Sequence, residues 1–111
     1  MDHQRQLRTL RAKLAGLVDV LALDPKSQWK RKFESDLAQS QALLLAGGSR
    51  DEAISLAKSI TDVYGGMGSF NDYAPTIYDA ATGRYSTIPG AEAFDRLSNE
   101  VFEAALALRS R

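Results

Sequence analysis

Four pairs of helix-breaking residues constrain this chain more firmly than any motif in it: Asp24-Pro25, Gly47-Gly48, Gly65-Gly66 and Pro89-Gly90. Through most of the chain between them, apolar residues recur at three- and four-residue steps, as in helices with one buried face. A chain of 111 residues cut in this way can bury one core, and nothing in it argues for more than a single domain over 1–111. The expected fold class is mainly α, with helices over about 4–23, 25–46, 50–64 and 90–109.

The stripe of the first helix is Leu7, Leu10, Leu14, Leu17, Val18 and Leu21. Pro25 disfavours helix at Asp24 and suits the first position of a new one, with Asp24 as its cap. Trp29, Phe33, Leu37 and Leu44 mark the buried face of the second helix, with Ser40 in the gap. Gly47-Gly48 ends it, because glycine reaches the left-handed conformation without a side-chain clash. Ser49 to Glu52 reads as a capping box, a hydroxyl followed three residues later by a carboxylate. The third helix then buries Ala53, Leu56, Ala57, Ile60 and Tyr64 and stops at Gly65, its C-cap. The last helix carries Phe94, Leu97, Val101, Ala105 and Leu108.

Helical periodicity disappears between Gly65 and Gly90. The β-prone runs about 76–79 and 84–87, with a turn-forming stretch between them, predict a short β-hairpin. Two strands alone are marginal, so the hairpin is expected to pack on the helices.

Ahead of it lies the least ordinary segment, Gly65-Gly66-Met67-Gly68-Ser69-Phe70-Asn71-Asp72. A phosphate cradle needs backbone N–H groups at a helix N-terminus, where the dipole is positive. This loop follows a helix C-terminus, matches neither common phosphate-loop pattern and has no lysine after it. It also lies in an acidic stretch: residues 37–79 hold two basic and five acidic side chains, against eight and five in 1–36. A rigid chain reversal is the expected role. Met67 and Phe70 would plug the core, and Asn71 and Asp72 would tie the turn to itself through side-chain-to-backbone bonds.

Tyr64 to Asp72 resembles the signature of a family of short bacterial proteins of unassigned function. In that family a helical N-terminal half with a Trp-x-x-x-Phe element, matched here by Trp29 and Phe33, leads into a G-G-M-G-S-F-N-D turn, a hairpin-like piece and a last helix. This sequence departs from it at Tyr73-Ala74-Pro75, where the family tends to continue with aliphatic residues. The resemblance implies a fold more than an activity. By association alone it suggests a partner-binding protein, such as an immunity protein that neutralises a toxin.

Composition excludes several chemistries. There is no cysteine, so disulfides, thiolate zinc sites and cysteine nucleophiles are absent, which fits a reducing cytoplasm. Fourteen basic and fourteen acidic side chains cancel, which argues against nucleic acid, and the basic cluster Lys26, Lys30, Arg31 and Lys32 around Trp29 reads as a solvated face. No apolar run is long enough to span a membrane. The one histidine, His3, excludes a Ser-His-Asp triad in all but a frayed terminus. Asp62, Asp72 and Asp79 lack the spacing of a calcium loop, so neither a metal nor a cofactor is expected.

Four tyrosines, with glycine, serine and asparagine around them, give 64–88 the composition of a protein-recognition surface. The expectation is therefore a non-enzymatic binding protein, an immunity protein or antitoxin, that engages a protein partner through this segment. Tyr64, Met67, Ser69, Asn71, Asp72, Tyr73, Tyr78, Asp79, Arg84 and Tyr85 are the candidate contact residues. Two alternatives stand beside it: a small-ligand or nucleotide-binding domain or minor enzyme using the glycine loop with Asn71 and Asp72, and a homodimer paired through the near-heptad leucine stripe of the first helix.

Overall fold

A computed structural model of the chain describes residues 3–65 and 68–110. It is mainly helical: α1 (His3–Leu21), α2 (Lys30–Ala46), α3 (Arg50–Thr61) and α4 (Phe94–Arg109), with 3-10 turns at Asp62–Tyr64 and Phe70–Asp72. Strands β1 (Thr76–Asp79) and β2 (Arg84–Thr87) form an antiparallel hairpin between α3 and α4.

Helix α1 packs between α2 and α4, and α3 closes the bundle against both. The leucine stripe of α1 is buried, together with Val20 in place of the expected Val18. The chain thus covers the face through which dimerisation was expected. The α3 face is buried as read. In α4, Phe94, Val101, Ala105 and Leu108 are buried, and Leu97 is half-buried against the core and Gly16.

The Ser49–Glu52 capping box is present in both directions, with Glu52 N–H donating to Ser49 Oγ at 3.1 Å and Ser49 N–H to Glu52 Oε1 at 2.9 Å. Gly47 caps α2 in the left-handed region at φ +66°. Gly65, by contrast, is extended (φ −119°) and is no left-handed cap. The helix tightens into a 3-10 turn at Asp62–Tyr64 instead, which brings Tyr64 into the core.

The start of α2 differs from the expectation. Residues 25–29 are turns, and α2 begins at Lys30. Asp24 does not cap it. The Asp24 carboxylate accepts from Lys26 N–H and from the Tyr73 hydroxyl, so it closes a local turn and holds a distant loop. The buried face of α2 differs as well. Its buried positions are Phe33, Asp36, Ser40 and Leu43, while Leu37 and Leu44 are only half-buried.

Candidate functional site

Phe70 organises the region after α3. Its ring is fully buried and meets those of Phe33 at 4.7 Å, Tyr64 at 5.3 Å, Trp29 at 5.5 Å, Phe94 at 5.6 Å and Tyr73 at 5.9 Å. The plug expected of Phe70 is therefore real. Met67, its expected companion, lies outside the described residues. Backbone geometry around the plug is held locally. Gly68 has φ +77°, and its N–H donates to Asp72 Oδ2 at 2.6 Å. Ser69 Oγ accepts from Asn71 N–H at 3.2 Å. Asp72 thus ties the turn with its side chain as expected, whereas Asn71 uses its backbone N–H. The described part of this loop offers little to a phosphate, since a carboxylate already occupies the Gly68 N–H.

The structure divides the four tyrosines into two pairs. Tyr64 is buried, and its hydroxyl donates to the Ser98 carbonyl at 2.9 Å. Tyr73 is half-buried, and its hydroxyl donates to Asp24 Oδ2 at 2.7 Å. Burial pushes both phenols up to about 12, and in Tyr73 the bond to the Asp24 carboxylate adds to the effect. Their polar ends are spent inside the fold. Tyr78 and Tyr85 are the other pair. They lie directly opposite one another across the hairpin with ring centroids 5.0 Å apart, and they are 54% and 72% exposed.

Every residue of both strands is exposed. The hairpin therefore does not pack its faces on the helices as expected. Among the described residues it is held at its base, by the buried Pro75, the half-buried Ile88 and a hydrogen bond from Ile88 N–H to the Pro75 carbonyl at 3.0 Å. The tyrosines supply a cross-strand pair in place of burial. Pleating puts Thr76, Tyr78, Tyr85 and Thr87 on one face, and Ile77, Asp79, Arg84 and Ser86 on the other. At the tip, Asp79 Oδ1 accepts from Ala81 N–H, and Gly83 takes φ +68°. Asp62, Asp72 and Asp79 are each exposed and belong to three different turns.

Three residues with no part in the expected contact set complete this surface. Leu23 and Ile77 are 43% and 53% exposed, and with Ile88 they line a groove between the hairpin and the turn after α1. Strand alternation could have separated Ile77 from Tyr78. Nothing in the sequence places Leu23 beside them.

A second polar cluster lies between α2 and α3. The Lys32 ammonium is 3.0 Å from both carboxylate oxygens of buried Asp36, and it donates to Asp36 Oδ1 and to Ser59 Oγ. Asp36 Oδ2 accepts no hydrogen bond among the described residues. Burial raises the Asp36 carboxyl above its ordinary value, against the lowering effect of Lys32. Among the described residues, no three His, Asp or Glu side chains gather as a metal site, and no helix is long and apolar enough to cross a membrane.

The model of a family described as a domain of unknown function (DUF6966) matches residues 22–79, from the end of α1 through α2, α3 and the Phe70 turn to the end of β1. The chain belongs to that family. No match was found among curated proteins or among solved structures.

Proposed function

We propose that this member of the DUF6966 family is a non-enzymatic binding protein that engages a protein partner through the 76–87 hairpin. One observation carries the reading: both strands are exposed on both faces, with Tyr78 and Tyr85 among the exposed large side chains. A two-stranded ribbon that buries neither face contributes little to stability. Exposed tyrosines bring large contact area at low entropic cost, as recognition surfaces require. Asp79 and Arg84, opposite one another at the tip end, supply polar contacts around them. Tyr64 and Tyr73 are committed to the interior and take no part in this surface. Assignment of the partner as a toxin, with this chain as its immunity protein, rests on the motif resemblance alone.

Affinity capture from the source organism tests the reading, with the wild type and a Tyr78→Ala/Tyr85→Ala double variant as baits. A specific partner should be retained by the first and lost by the second. A partner held equally by both would refute this surface, and no specific retention by either would refute the binding role.

A second reading, the homodimer, keeps one observation in its favour. Leu45 on α2 is 91% exposed beside Ala42, in a stretch free of charge from Leu37 to Ser49. Light scattering on a Leu45→Glu variant decides it; a wild type that is monomeric throughout removes it.

A further inference from the structure

Strand β1 has a free edge and an apolar groove alongside it. The hydrogen bond from Ile88 N–H to the Pro75 carbonyl fixes which pairs of the ladder are bonded. Alternation makes Ile77/Ser86 and Asp79/Arg84 the bonded pairs, and it turns the N–H and C=O groups of Thr76 and Tyr78 outward from β1. Among the described residues the sheet has two strands, and no third strand meets those groups. The groove beside them, about 260 Å³, is walled by Leu23, Pro25, Thr76, Ile77 and Ile88, with Lys26 at its rim. A row of outward backbone groups matches only another extended backbone, and a groove on one side of it selects alternate side chains.

The groove carries one charge of each sign, and the exposed one is the cation. Asp24 also lines it and keeps its negative charge, but it is buried, with Oδ1 accepting from Lys26 N–H and Oδ2 from the Tyr73 hydroxyl. The Lys26 side chain is exposed and makes no ion pair among the described residues.

The geometry points to strand addition at β1 by an extended segment of a partner protein, with apolar side chains toward Leu23 and Ile77 and a carboxylate beside Lys26. This rests on the hairpin being a protein-binding element and adds the mode and the chemistry of what it takes. The apolar side chains would cover Leu23 and Ile77, and the backbone of the segment would satisfy Thr76 and Tyr78. The acidic group would answer the unpaired ammonium, which favours encounter and fixes the register.

The test is selection from a phage-displayed library of random peptides on the folded full chain, followed by fluorescence polarisation with enriched peptides. Enriched sequences should alternate apolar residues and include an acid. Ile77→Asp and Lys26→Glu should each weaken binding by about tenfold or more. Backbone N-methylation of the peptide should abolish binding, and Glu103→Ala, at an exposed position of α4, should leave it unchanged. Circular dichroism checks that the variants, both at exposed positions, remain folded.

Absence of enriched peptides, or peptides indifferent to Ile77→Asp and Lys26→Glu, would overturn the inference while leaving the affinity capture to decide the wider reading. Peptides that respond only to Tyr85→Ala would keep the hairpin as the binding element and overturn the groove. A chain that is dimeric in solution and made monomeric by Ile77→Asp would assign the edge to a second copy, and so overturn it too.

Discussion

Replacing Phe70 by alanine tests whether the glycine-rich turn is part of the core or only passes over it. The ring is 1% exposed and stands among five other aromatic rings at 4.7 to 5.9 Å. Buried Phe→Ala changes cost about 3–5 kcal/mol where the surroundings cannot collapse into the space. Aromatic neighbours are worth a further ~0.5–1.5 kcal/mol per pair beyond buried area, though not additively, which places this site in the upper half of the range. A loss of about 4 kcal/mol is a large share of the ~5–15 kcal/mol by which such domains are stable. The melting temperature should fall by on the order of 20 °C. Trp29 is the sole tryptophan, and its ring meets Phe70 edge-on, so its fluorescence in urea reports both unfolding and loss of the contact. Asn71→Ala is the control, because Asn71 is exposed and uses only its backbone N–H. It should shift stability by no more than about 0.5 kcal/mol. A Phe70→Ala loss below about 1 kcal/mol, with unchanged urea dependence, would refute the plug.

Three further perturbations separate backbone, hydrogen-bond and charge effects. Gly68→Ala should cost about 1 kcal/mol from its positive φ alone, since a Cβ there meets open space, whereas Gly65→Ala at an extended φ should be neutral or slightly stabilising by thermal melting. Tyr73→Phe should cost about 1–3 kcal/mol by chemical denaturation, because it removes a part-buried bond to a carboxylate and leaves buried Asp24 short of a partner. Asp36 gives a pH signature. Its folded pKa is raised, so its contribution favours the folded state below the unfolded value of about 3.8 and is lost as pH rises through the folded value. Asp36→Asn should flatten the stability profile above about pH 4, with the variant gaining on the wild type as pH rises; a profile unchanged from the wild type would refute the assignment.

The sequence discloses the helices well because their ends are local. Ser49 with Glu52, and Gly47, hold caps that depend on residues within one turn. Asp24 misleads for the opposite reason. Its partner Tyr73 is 49 positions away, and that contact competes with capping and wins. Asp36 is missed because an apolar stripe is read from apolar residues, while the orientation of α2 is set by how Trp29 and Phe33 meet Phe70. The hairpin is legible as strands, because β propensity and turn residues are local. Its exposure is not, because alternating Thr, Ile, Tyr and Asp would serve as well against a core as against water. Among the candidate contact residues, Tyr78, Asp79, Arg84 and Tyr85 share one ribbon, while Tyr64 and Tyr73 belong to the interior framework beneath it.

The pairing of α1 with α4 has a consequence for handling and for synthesis. Gln6 reaches the Ala107 carbonyl, Lys13 reaches Glu100, and Gly16 lies against Leu97, so the two helices run antiparallel. Their outer ends lie together at one pole, and the hairpin base lies beside Leu23, just past the other end of α1. A label or surface tether attached at either of these outer ends would leave the hairpin unobstructed. The same arrangement orders events on the ribosome. The leucines of α1 can meet α2 early but meet α4 only after the other three helices have been made, so part of the seam stays open until α4 emerges.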